Sequence, residues 1–113
     1  MIAALFLGGI SAAAVAAPRA ESALECGVAA DMAIVAHSLA LENIQQPKAS
    51  AIMARIYDVA DSDRGKELMK DILDAAYRSK NTSQSSALRF AEDLFAACMK
   101  SGGNMDTVLG QRL

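Results

Sequence analysis

The sequence predicts an all-α fold, an antiparallel four-helix bundle preceded by a signal-peptide helix, and three observations carry that prediction. Apolar residues fill 53% of the 113 positions, yet aromatics fill only 4% and Trp is absent. The apolar content is therefore mainly Ala, Leu, Ile, Val and Met, which favours helix over sheet. Four stretches then carry apolar residues at three-to-four spacing, the period of one helix face. Short clusters of Pro, Asp, Ser, Gly and Asn separate them, and connections this short make consecutive helices antiparallel neighbours.

Residues 1–16 read as a signal peptide. The run from Ile2 to Ile10 is apolar, the first charged residue is Arg19, and Ala14-Val15-Ala16 has the small-x-small form of a cleavage site. Cleavage is expected near 16–22, after Ala16, with Ala20 and Ser22 as later options. A membrane anchor needs about 20 predominantly apolar residues. This run is shorter, so no stable anchor is expected after cleavage, and the expected location is periplasmic or secreted. The bundle domain is placed at 22–103. Residues 104–113 are expected to be a flexible tail, with at most one short turn after Asp106.

The first mature helix is predicted from Ser22 to Asn43, with Leu24, Val28, Met32 (or Asp31), Val35 and Leu39 as its stripe and Ala30, Ile34, His37, Leu41 and Ile44 widening it. Gln45-Gln46 breaks the pattern, and Pro47 suits the opening of a second helix, where its missing N–H costs nothing. That helix is predicted to reach Val59, with Ala51, Ile52, Ile56, Val59 and Ala60 inward. Asp61-Ser62-Asp63-Arg64-Gly65 reads as a turn and cap cluster. The third helix follows to Ser79, with Leu68, Met69, Ile72, Leu73, Ala76 and Tyr77 inward and Asp74 paired to Arg78 on its wet face. The fourth spans Ser83 to Ser101, capped by Thr82 or Ser83 and ended by Gly102-Gly103. Its predicted seam is Leu88, Ala91, Phe95 and Cys98. The residues expected to be mostly buried are Leu24, Val28, Val35, Leu39, Ile52, Ile56, Ile72, Leu88 and Phe95.

Cys26 and Cys98 are the only two cysteines, 72 positions apart. An even count in an exported chain suggests a disulfide. Cys26 lies in the first turns of the first helix and Cys98 in the last turns of the fourth. An even number of alternating helices brings those two ends together, so the bridge agrees with the helix count.

No reaction chemistry emerges from the remaining residues, and no catalytic, cofactor-binding or metal-binding residue is assigned. A net charge of −2 argues against nucleic acid as a partner. Asp58, Asp61, Asp63 and Gly65 faintly suggest a calcium loop, but the register fails at the Gly and at the closing Glu. Helix capping explains them better. His37 is the single histidine, with no acid or nucleophile beside it, and reads as a buried or rim residue. Met32, Met53, Met69 and Met99 fall one per helix, in or beside core stripes where Met fills gaps. Gly65-Lys66 lacks the upstream glycine of a phosphate loop. Tyr57 and Tyr77 are candidate markers of a partner-binding face.

The stretch Ala75-Ala76-Tyr77-Arg78, together with Ala87 to Lys100 and its ending Phe95-Ala96-Ala97-Cys98-Met99-Lys100, resembles the C-terminal half of small exported all-helical proteins of Gram-negative bacteria. These carry a signal peptide, one cysteine early in the first helix and one near the end of the last. Within that group the chain is similar in size and cysteine placement to type VI secretion amidase immunity proteins. The resemblance implies a non-enzymatic protein that binds another protein, in its specific form by neutralising a toxin. The alternatives are a periplasmic stress chaperone and a structural envelope protein.

Overall fold

A computed structural model describes residues 18–57, 62–80 and 86–110. The predicted signal segment, Asp58, Asp61 and the expected caps Thr82 and Ser83 lie outside the described residues. All regular structure among those described is helical. There are five helices: α1 (Ala23–Leu41), α2 (Gln46–Ile56), α3 (Asp63–Ser79), α4 (Ala87–Lys100) and α5 (Asp106–Leu109).

Local chemistry sets most boundaries. Ser22, Ser62 and Ser86 are the N-caps of α1, α3 and α4, each accepting the backbone N–H three residues on. Each thereby satisfies a donor that the first helical turn leaves open. The α4 cap is thus Ser86, later than the predicted start at Ser83. Pro47 occupies the second position of α2, where no helical bond needs its nitrogen. The α1 helix ends at Leu41, short of the predicted Asn43. There Asn43 takes a left-handed φ of 63°, its N–H donates to Ala40 O, and the Ile44 N–H donates to Leu39 O. That is a Schellman closure with Asn in the place usually held by Gly. The α4 helix closes the same way, with Gly102 at φ 62° and the Gly103 N–H donating to Cys98 O.

The core is centred on α1, which packs against α4, α3 and α2, while α2 also lies on α3 and α5 lies on α3 and α4. Pairwise contacts fix the relative placements. The start of α1 meets the end of α4 through Cys26 and Cys98, and His37 meets Phe90 with ring centroids 5.3 Å apart. Glu25 near the start of α1 meets Arg64 near the start of α3, and the Tyr77 hydroxyl near the end of α3 donates to the Ile44 carbonyl.

The buried face of α1 differs from the predicted stripe. Cys26, Ala29, Met32, Ala33, Ala36, His37 and Ala40 are buried, whereas Leu24 is 78% exposed and Val28 is also exposed. The reason is distance: alanines let α1 approach three neighbours at once, and a leucine stripe would hold them apart. Because α1 is apolar nearly all round, periodicity alone could not choose its inner face. Three other expectations are corrected: Ile56 is 54% exposed, Leu88 is 61% exposed, and Phe95 points outward while Phe90 is buried. Ile72 is fully buried as predicted, and Val35, Leu39 and Ile52 are half-buried.

Residues 104–110 depart from the expected flexible tail. The short turn expected after Asp106 is present as α5, and it is fixed in place, with Met105 and Leu109 buried in the common core. On α3, Asp74 pairs with Lys70 at 2.8 Å, and Arg78 donates to Leu109 O at 3.3 Å, which helps to hold the tail.

Candidate functional site

The predicted cysteine pair is joined: Cys26 and Cys98 form a disulfide with Cα atoms 5.7 Å apart. Both side chains are buried, so the bridge is shielded from solvent reductants. A disulfide in this position is compatible with an oxidising compartment.

Several of the other sequence candidates take structural roles among the described residues. His37 is fully buried against Phe90, and burial pushes its pKa below the ordinary value. Met32, Met53 and Met69 are core residues, while Met99 is exposed. Among the described residues no group of three or more His, Cys, Asp or Glu is placed to hold a metal ion. Ser62 and Asp63 serve the start of α3, with the Gly65 N–H taken by the Ser62 hydroxyl, so the Gly65-Lys66 backbone cradles no phosphate. Tyr57 donates to the Asp31 carboxylate, which ties the end of α2 to α1, and Tyr77 donates to Ile44 O, which ties α3 to the α1–α2 turn. Burial, first of all, raises both phenol pKa values.

Arg19 is a structural centre the sequence did not reveal. Its side chain is 3% exposed; Nε donates to Asp71 at 2.9 Å, Nη1 to Asp106 at 2.6 Å and Nη2 to Gly110 O at 2.9 Å. The Arg19 and Ala20 N–H groups both donate to Gly103 O. Gly103 must be glycine here: its φ is 94°, and a Cβ would overlap the Ala20 carbonyl. The arm at 18–20 therefore locks α3, the end of α4 and α5 into one unit. Its partners lie 52 to 91 positions away along the chain. Nearby, Arg64 forms a forked pair with Glu25 and donates to Arg19 O. That hydrogen-bonded pair lowers the Glu25 pKa to about 2.

Two surface features have the form of binding sites. The first is a groove of about 760 Å³ between α2 and α3, floored by Pro47, Ala54, Met69 and Leu73. The second is larger in side-chain terms. Ile34 and Leu41 of α1 and Leu88, Phe95 and Met99 of α4 are all exposed large apolar residues. At about 100° per residue, Ile34 and Leu41 lie about 60–80° past the line of Cys26 and His37, which face α4. Leu88, Phe95 and Met99 lie about 60–100° past the line of Cys98 on α4, in the same rotational sense. The pairs Cys26–Cys98 and His37–Phe90 show that a step forward on α1 matches a step back on α4. Equal rotations on two such helices fall on the same side of the pair. The five residues therefore share one face, and α3 packs on the opposite side, against Ala29, Met32 and Ala36.

By length and composition α1 is also the one described helix long and apolar enough to cross a membrane. Its buried residues are nevertheless part of a continuous protein core with α3 and α4. Comparison with protein-family models, with curated proteins and with solved structures finds no match for this chain.

Proposed function

We propose that this is an exported, disulfide-stapled helical protein that acts by binding another protein rather than by catalysis. The observation that supports it most directly is the open α1/α4 face. Five large apolar side chains are exposed on one face of two helices, and apolar exposure gathered on one face is a mark of protein-binding surfaces. In this reading the helices α1–α4 form an antiparallel bundle, its first and last helices stapled at one end. The signal segment is removed by cleavage, and the mature protein works in the periplasm or outside the cell. The partner presents an apolar surface of its own. In the specific form suggested by the resemblance to immunity proteins it is a secreted toxin, and an effector gene beside this one would favour that form.

A photo-crosslinking residue placed at Leu88 in the native host tests the reading. A covalent adduct with a polypeptide is expected at Leu88, and none at the exposed Lys48 of α2. No adduct at Leu88 overturns it.

A further inference from the structure

We propose that a second copy of this chain covers the α1/α4 face, so that two α1/α4 pairs close a four-helix layer between copies. This rests on reading that face as a protein-binding surface and names its occupant.

The first argument is shape. Cys26 lies level with Cys98 and His37 with Phe90. Ala23, Gly27 and Ala30 therefore lie level with the end of α4 that carries Phe95 and Met99. Ala23 and Met99 line one hollow beside the disulfide. One helix thus offers a trough of small residues beside a ridge of large ones on the other. A two-fold axis parallel to the helices sets each α1 against the other copy's α4 at the same level, running the opposite way. Trough then receives ridge twice, as an isologous interface requires.

Gly27 supplies a second, independent observation. Glycine inside a helix weakens it relative to alanine. A Cβ built on Gly27 would meet nothing within 4 Å, so no contact among the described residues accounts for the glycine. A helix from another copy, seated in the trough, does account for it.

The third argument is area. With 19 residues, α1 is about 28 Å long. The shorter α4, with 14 residues, is about 21 Å long, and at about 10 Å wide each the two helices present a plan area of about 490 Å². Projecting side chains raise the accessible area above this, toward the roughly 800 Å² per partner of a stable interface. A net charge of −2 sets little repulsion between copies.

Sedimentation of the oxidised mature protein at micromolar concentration tests the proposal. The mass of two copies is expected. Gly27→Phe fills the trough and Leu88→Lys charges the ridge; each should weaken pairing at least tenfold, with the helical circular dichroism and the disulfide unchanged. Leu88 is 61% exposed, so its replacement leaves the fold intact even if the Gly27 variant does not fold. Lys48→Glu should leave pairing unaltered. A wild-type monomer at high micromolar concentration overturns the proposal. If crosslinking from Leu88 then captures a different protein, self-pairing fails and the protein-binding reading stands. If it captures nothing, both fail.

Discussion

The two sides of α1 are built from different residues. The side covered by α3 and α4 is lined by Ala29, Ala33, Ala36 and Ala40 with Cys26, Met32 and His37. The uncovered side carries the larger Leu24, Val28, Ile34 and Leu41. Met32 and His37 apart, size and burial are inverted relative to a typical amphipathic helix. Burial of apolar area would favour the opposite choice. Close packing of a helix with three neighbours favours this one, because small side chains shorten the distance between axes. The bulky residues left outside are then free to meet something else.

The largest expected effect lies on the covered side. Opening a 72-residue loop by Cys26→Ala with Cys98→Ala should cost about 4 kcal/mol. At about 4–8 °C per kcal/mol that lowers the melting temperature by about 15–30 °C. Thermal unfolding of the oxidised, reduced and double-alanine forms should place the last two together. A melting temperature unaffected by reduction would mean that α1 and α4 are held by packing alone. The same contrast can be drawn between two isoleucines. Ile72→Ala should cost about 2–5 kcal/mol in a urea titration, because Ile72 is fully buried. Ile56→Ala should cost under about 1 kcal/mol, because Ile56 is 54% exposed. Equal costs would reject the assignment of inner and outer faces.

Arg19 comes next. Arg19→Ala leaves the Asp71 and Asp106 carboxylates without their shared guanidinium. Breaking a buried ion pair costs about 3–5 kcal/mol, and partial exposure of both acids reduces this to about 2–3. The same arm bears on processing. Under the proposed export, cleavage after Ala16 keeps Arg19, whereas cleavage after Ala20 or Ser22 discards it, so a cleaved form should begin at Ala17. N-terminal sequencing checks this, and a start at Glu21 or Ala23 would show that the fold does without its arm. A smaller effect separates the two sides of α1 directly. Ala36→Leu should overpack the covered side by about 1–3 kcal/mol, and Leu24→Ala should change stability by no more than about 0.5 kcal/mol.

Legibility in the sequence follows the range of each interaction. Helix ends were readable where the signal is local: Gly102-Gly103 stops α4, and Pro47 opens α2 within one position of the expected place. The disulfide was readable because two cysteines allow a single pair, and an even helix count brings their two helix ends together. The inner faces of α3 were readable because its polar residues mark the outer side. The inner face of α1 was not, since apolar residues surround the helix and only its neighbours decide among them. Phe90 and Phe95 flank Cys98 on opposite edges of the α4 seam, and only the neighbour on one side, His37 beside Phe90, decides which is covered. The Arg19 clamp was illegible because its partners are 52 to 91 positions away, and no periodic or local pattern joins an arginine ahead of α1 to an aspartate in α5. The open α1/α4 face is hidden for a related reason: its apolar residues carry the same helical spacing as core residues.

The smallest effect is expected at the edge of the covered side, where Arg64 clasps Glu25. This pair is 36–40% exposed, so water and salt screen it, and its weight in stability is slight. It still leaves a pH signature. Glu25 has a pKa of about 2 in the folded chain against 4.5 unperturbed, held down first by the hydrogen bond from Arg64. The unfolded chain therefore binds more protons between those values. Stability from this clasp is present above pH 4.5 and is lost as pH falls toward 2. His37 acts in a different window. Its pKa is lowered by burial, so stability falls as pH drops below about 6.5, where the unfolded histidine takes up a proton that the folded one resists. A urea titration repeated from pH 7 to pH 2.5 should show both. Glu25→Gln should shrink the lower arm, leaving the part that the lowered pKa of Asp74 supplies, and should leave the upper arm unchanged. High salt should also shrink the lower arm, because the Arg64–Glu25 and Lys70–Asp74 pairs are exposed to screening whereas His37 is buried. If Glu25→Gln flattens the upper arm too, the two groups are coupled through α1, and its covered side responds to acid as one unit.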